Sequence, residues 1–87
     1  MSVNGSLQTD EIALAVYLII EGYDYDLRRD EVISQRKIAK CVWVFDDSSE
    51  IRELVQSYKD GKARVDPRRF AITWGAIRRE MHDFLSV

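Results

Sequence analysis

Apolar positions along this chain come in separate runs, and the period of each run predicts its element. In EIALAVYLIIEGY, Ile12, Ala15, Val16 and Ile19 repeat at helical spacing, while Leu14, Tyr17, Leu18 and Ile20 fill most of the remaining circumference. A helix apolar on nearly every side belongs at the centre of a core or beneath a second chain. Thr9 or Asp10 is placed to cap it, Asp10 and Glu11 put negative charge at its positive end, and Gly22 supplies the stop. The VYLII end also has strand propensity, but the cap and stop favour helix. Ahead of it, Met1–Gln8 is small and polar and reads as a flexible arm, so one folded domain is expected over 9–87.

The period then changes to two. Tyr23, Tyr25 and Leu27 alternate with Asp24, Asp26 and Arg28, as in a strand with one wet face. Alternation fades through Arg29–Glu31, and Val32 and Ile33 resume apolar character before the polar turn Ser34, Gln35, Arg36. With no Asn-Gly or Asp-Gly to mark the hairpin, the register between Arg28 and Lys37 is left open. In the second strand Cys41, Trp43 and Phe45 point one way and Val42 and Val44 the other, so both faces are expected to be covered.

Helical period returns after Asp46 and Asp47. Asp47 and Glu50 stand at capping-box spacing, Ile51, Leu54, Val55 and Tyr58 form one stripe, and Gly61 closes the helix. Asp66 and Pro67 place an N-cap beside a pre-set first residue. The last helix, towards Leu85, has its core stripe at Phe70, Trp74, Ile77, Met81 and Leu85. The order is helix, antiparallel β-hairpin, two C-terminal helices: an α+β domain with helices packed on a small sheet. A two-stranded sheet is marginal and open at both edges, so edge-to-edge pairing into a homodimer is an attractive solution.

Composition narrows the classes. At 87 residues, 46% hydrophobic and 32% charged, the chain suits one soluble domain with a modest core. A net charge of -2 argues against a generic nucleic-acid binder while leaving room for a local basic patch. The single cysteine, Cys41, cannot form an intramolecular disulfide and fits a reducing, intracellular setting. The N-terminus lacks the basic region of a secretory signal, and the run Ile12–Ile20 is about half the ~20 residues that span a bilayer. A cytoplasmic protein without membrane contact is expected.

No reactive constellation stands out. Neither Glu80 nor Asp83 shares a helix face with His82, the only histidine, so a metal-ligand pair is not formed there. Cys41 has no basic neighbour on its own strand face. The pairs Asp24/Asp26, Asp30/Glu31 and Asp46/Asp47 lack calcium-loop spacing, and the glycines at 22, 61 and 75 are isolated rather than gathered into a phosphate loop. No catalytic residue, cofactor or metal is assigned, and a non-enzymatic protein is expected.

Binding features remain. On the last helix Arg68, Ile72, Gly75 and Arg79 lie opposite the core stripe, at 100° per residue. Ile72 is thus apolar on a wet face, beside a glycine that costs about 1 kcal/mol relative to alanine. With Tyr23 and Tyr25, whose residue type is favoured at hot spots, these form the candidate protein interface. The alternative is nucleic acid. Arg28, Arg29, Arg36, Lys37 and Lys40 surround the hairpin, Arg64, Arg68, Arg69, Arg78 and Arg79 the last helix, and a phosphate patch forms if the two sides meet.

The combination of an apolar first helix ending in Gly22, CVWVFDD, IRELVQSYKDG, VDPRRF and an amphipathic end containing IRREMH resembles a small uncharacterised domain family of phage and bacterial mobile-element proteins. The stronger motifs cover about half the chain, and the hairpin between Arg28 and Lys37 is longer than the family's usual turn. The resemblance implies a bacterial cytoplasm and a small accessory protein, with no catalytic residue to transfer. By class it implies a host or phage protein as partner, and inhibition of a defence system such as a CRISPR effector as the concrete version. A nucleic-acid-binding accessory protein and a self-associating structural module are the alternatives.

Overall fold

The computed structural model describes residues 5–31 and 39–85 and shows a mixed α+β domain. The order is β1 (Ser6–Thr9), α1 (Ile12–Ile20), β2 (Tyr25–Glu31), β3 (Ala39–Asp46), α2 (Ser49–Lys59) and α3 (Pro67–Leu85). The strands form one antiparallel sheet with β3 in the middle, ordered β1-β3-β2.

β1 corrects the reading of an N-terminal arm at Ser6–Gln8, while Met1–Asn4 lie outside the described residues. Ser6–Thr9 pairs with β3 in the register Leu7 to Phe45 and Thr9 to Trp43, and the ladder is extended where Asp47 N–H donates to the Gly5 carbonyl at 3.2 Å. A strand with a single apolar residue has too little alternation to declare itself. β3 supplies what it lacks: a long apolar strand whose second edge needs a partner. Three strands backed by helices relieve the marginality of a two-stranded sheet, while β1 and β2 remain its two edges. β2 likewise runs on to Glu31, past the point where alternation fades. The expected turn at Ser34–Arg36 and the resumed apolar pair Val32 and Ile33 lie outside the described residues.

Register assigns the faces. Phe45, Trp43 and Cys41 share one face with Leu7, Tyr25 and Leu27, and all belong to or pack against the core. Gln8, Asp26 and Arg28 stand with Val44 and Val42 on the other, and these three polar residues are exposed. Helices cover the first face of β3, as expected. On the second, Val44 is buried in the centre of the ladder between Gln8 and Asp26, without a second helical layer among the described residues.

The helices sit on the inner face. α1 packs against α3 and α2 and touches β1, and Leu14 through Leu18 are all buried. Its apolar circumference is thus explained by a central position in one chain. α2 buries Ile51 and Val55, and α3 buries Ile77. The core is closed by Trp43, Phe45, Leu18, Ile51 and Val16, the largest side chains fully withdrawn from solvent.

The stop signals behave as their chemistry dictates. After α1, Gly22 at φ 100° donates to the Ile19 carbonyl and Tyr23 N–H to that of Leu18. After α2, Gly61 at φ 72° and Lys62 do the same to Tyr58 and Ser57. Both are Schellman endings, which need a left-handed residue after the last turn. The caps differ from expectation at two helices. Ser48, not Asp47, caps α2, its Oγ accepting from Ile51 N–H at 3.2 Å. Asp47 instead pairs with Arg52 at 2.5 Å. Glu11 occupies the cap position of α1 without a side-chain cap bond, while Thr9 Oγ1 accepts from Glu11 N–H at 3.0 Å. At α3 the expected cap forms: Asp66 Oδ1 accepts from Arg68 N–H at 3.0 Å, just ahead of Pro67.

Candidate functional site

α3 presents two surfaces of different character. On its solvent side Arg68, Ile72, Gly75 and Arg79 are all exposed, with Ala71 and Ala76 beside them. Ile72 is 67% exposed, the one exposed large hydrophobic residue among the described residues. A Cβ placed on Gly75 would meet nothing within 4 Å, and its φ is not in the left-handed region. Neither packing nor backbone conformation therefore requires glycine there. The sequence-predicted interface residues on α3 are brought together on one flat face with small residues at its centre.

Tyr23 and Tyr25 are placed elsewhere. Tyr25 is half-buried on the inner face of the sheet, its ring tilted against Phe45 at a centroid separation of 6.2 Å. Its hydroxyl donates to Glu80 Oε1 at 2.5 Å, tying β2 to α3. Burial, and then the Glu80 carboxylate, push the phenol up to about 12, because the phenolate would be poorly solvated beside a negative charge. Tyr23 is half-buried at the end of α1 and packs against the core. Both therefore have structural work. Replacing Tyr25 by alanine would remove a strut between sheet and helix.

A second phenol serves a similar purpose. Tyr58 of α2 stacks on Tyr17 of α1 at 6.3 Å and donates to Glu11 at the start of α1. That hydrogen bond, together with burial, pushes Tyr58 up to about 12. Tyr17 is also raised, chiefly by burial. On the loop before α2, the Arg52 guanidinium holds the Asp47 carboxyl below the usual carboxylate range.

Among the described side chains, Arg28 stands apart from the arginines of the last helix. Arg28 lies on the outer face of the sheet and pairs with Asp26 at 3.2 Å, on the side away from the helices. Arg64, Arg68, Arg69, Arg78 and Arg79 are exposed around α3 and the link before it. Arg68 and Arg79 share the Ile72 face, while Arg69 and Arg78 point about 100° away from their respective neighbours. Arg36 and Lys37 lie outside the described residues, as do the side chains of Arg29 and Lys40.

The opposite surface of α3 holds a feature the sequence reading passed over. A groove of about 430 Å³ opens between Asp10 and Ile12 at the start of α1, Cys41 and Trp43 of β3, and Trp74, Arg78, Met81 and Leu85 of α3. Trp74, Met81 and Leu85 belong to the expected core stripe, yet of that stripe only Ile77 is fully buried. The cause is length. At about 1.5 Å per residue α1 extends about 14 Å and α3 about 28 Å, so α1 cannot cover the whole stripe. That mismatch was readable in the stop at Gly22. Trp43 on the groove floor also has a buried indole N–H with no hydrogen-bond partner. Such a group costs about 1–3 kcal/mol, set here against the burial of a large ring.

Cys41 is buried and His82 exposed, and among the described residues no three His, Cys, Asp or Glu side chains converge as metal ligands. No helix among them is long and apolar enough to cross a membrane. The chain matches no protein-family model, and no curated protein or solved structure is significantly similar to it.

Proposed function

We propose that this chain is a non-enzymatic binding module that docks on another protein through the solvent face of α3. The observation that supports it is Ile72, 67% exposed on the same face as a glycine that nothing within the fold requires. An apolar anchor over a backbone stripped of side chain is what close helix docking uses, and Arg68 and Arg79 beside it provide charged rim contacts. The resemblance to phage and mobile-element proteins sets the class of partner: a host or phage protein in a bacterial cytoplasm. A defence protein such as a CRISPR effector, inhibited by the docking, is the concrete version.

The alternatives have less to stand on. A nucleic-acid patch built from both arginine groups is opposed by the position of Arg28 on the far face of the sheet. Self-association to complete a marginal two-stranded sheet is less needed with β1 in place, although β1 and β2 still form the edges of the sheet.

The test is capture from phage-infected bacterial lysate, nuclease-treated and at moderate salt, with wild-type chain and Ile72→Glu side by side. A stoichiometric protein held by the wild type and lost by Ile72→Glu, with unchanged circular dichroism, is the expected result. Equal capture by both overturns the assignment of this face. Recovery of nucleic acid that disappears with nuclease or salt puts the arginine reading first.

A further inference from the structure

The structure assigns a second, separate binding site to the groove between the start of α1, β3 and the C-terminal half of α3: a site for a small organic anion with a flat apolar body. It does not rest on the docking reading, because Arg78 and Ile72 point about 120° apart around α3. The volume, about 430 Å³, lies within the range of about 300–1,000 Å³ typical of small-molecule sites.

The lining specifies the chemistry. Half-buried Trp74 offers an aromatic surface to the ligand and Trp43, only 1% exposed, backs the groove from beneath, with Met81 and Leu85 as adaptable apolar neighbours. Arg78 is exposed on the rim and has no hydrogen bond or ion pair with the described residues. Asp10, also on the lining, already has an interaction of its own within the fold. Among the described lining residues, Arg78 is the charge left to meet a ligand. A guanidinium beside aromatic walls pairs best with a carboxylate or sulfonate on a flat ring system, because its planar fork binds two oxygens at once. Neutral ligands would use the walls and forgo the arginine.

Both tryptophans of the chain line this groove, so occupancy reads directly in their emission. The full-length chain is titrated with anilinonaphthalene sulfonate, following tryptophan quenching and dye emission together. Saturable one-site binding is expected, weakened about tenfold in Arg78→Gln, which loses one charge-assisted contact from an exposed position. The uncharged analogue N-phenylnaphthylamine should bind wild type and Arg78→Gln alike. Ile72→Glu should bind the sulfonate as wild type does, whatever becomes of protein docking. Absence of saturable quenching, or equal sulfonate affinity in wild type and Arg78→Gln, overturns the site. Loss of binding in Ile72→Glu relocates the dye to the outer face and overturns it as well.

Discussion

Leu7 offers the sharpest test of how this domain is closed, because adjacent residues of β1 face opposite sides of the sheet. Leu7 stands opposite Phe45 and is half-buried against the core, whereas Gln8 stands opposite Val44 on the solvent face and is exposed. Burying a leucine fully contributes about 1.5–3 kcal/mol, and truncating a fully buried one to alanine costs about 2–5 kcal/mol. At partial burial, Leu7→Ala should cost about 1–2 kcal/mol. For a domain of this size that lowers Tm by about 5–10 °C. Gln8→Ala should stay within about 0.5 kcal/mol of wild type. Urea unfolding followed by tryptophan emission measures both, since Trp43 lies opposite Thr9 in the same ladder. If neither substitution lowers stability, residues 6–9 are an arm rather than a strand. Equal losses in both would instead refute the register.

Two further outcomes follow from the caps and the phenols. Ser48→Ala removes the hydrogen bond to Ile51 N–H and should cost about 1 kcal/mol in the same urea assay, identifying Ser48 rather than Asp47 as the cap of α2. Of the four tyrosines, Tyr25 and Tyr58 should resist ionisation to about pH 12 in an ultraviolet titration of the native protein. Their folded pKa values lie above the unfolded value near 10, so the folded state holds its protons longer. The stability they contribute is complete below pH 10 and is lost as pH rises from 10 towards 12. Tyr25→Phe and Tyr58→Phe should each flatten that alkaline loss.

What was legible in the sequence was local. The period of Ile51, Leu54, Val55 and Tyr58, the left-handed glycines at 22 and 61, and the Asp66-Pro67 start report on a few neighbouring residues, and each appears in the structure where the chain announces it. The α+β class followed from the order of those periods, and the exposed face of Arg68, Ile72, Gly75 and Arg79 from helix geometry alone. The tertiary structure decided what depends on distant partners. Residues 6–9 become a strand because β3 has an edge to fill, although Leu7 is their only apolar residue. Tyr25 is a strut because Glu80, far along the chain, arrives beside it. The helices gather on one face of β3, and on the other Val44 is buried by its place at the centre of the ladder. The groove at Trp74 and Arg78 exists because a short α1 packs against a long α3, a mismatch written in the sequence but without consequence until the two helices meet. Hydrogen-bonding edges and apolar stripes state what must be covered; only packing decides which element covers them and where cover runs out.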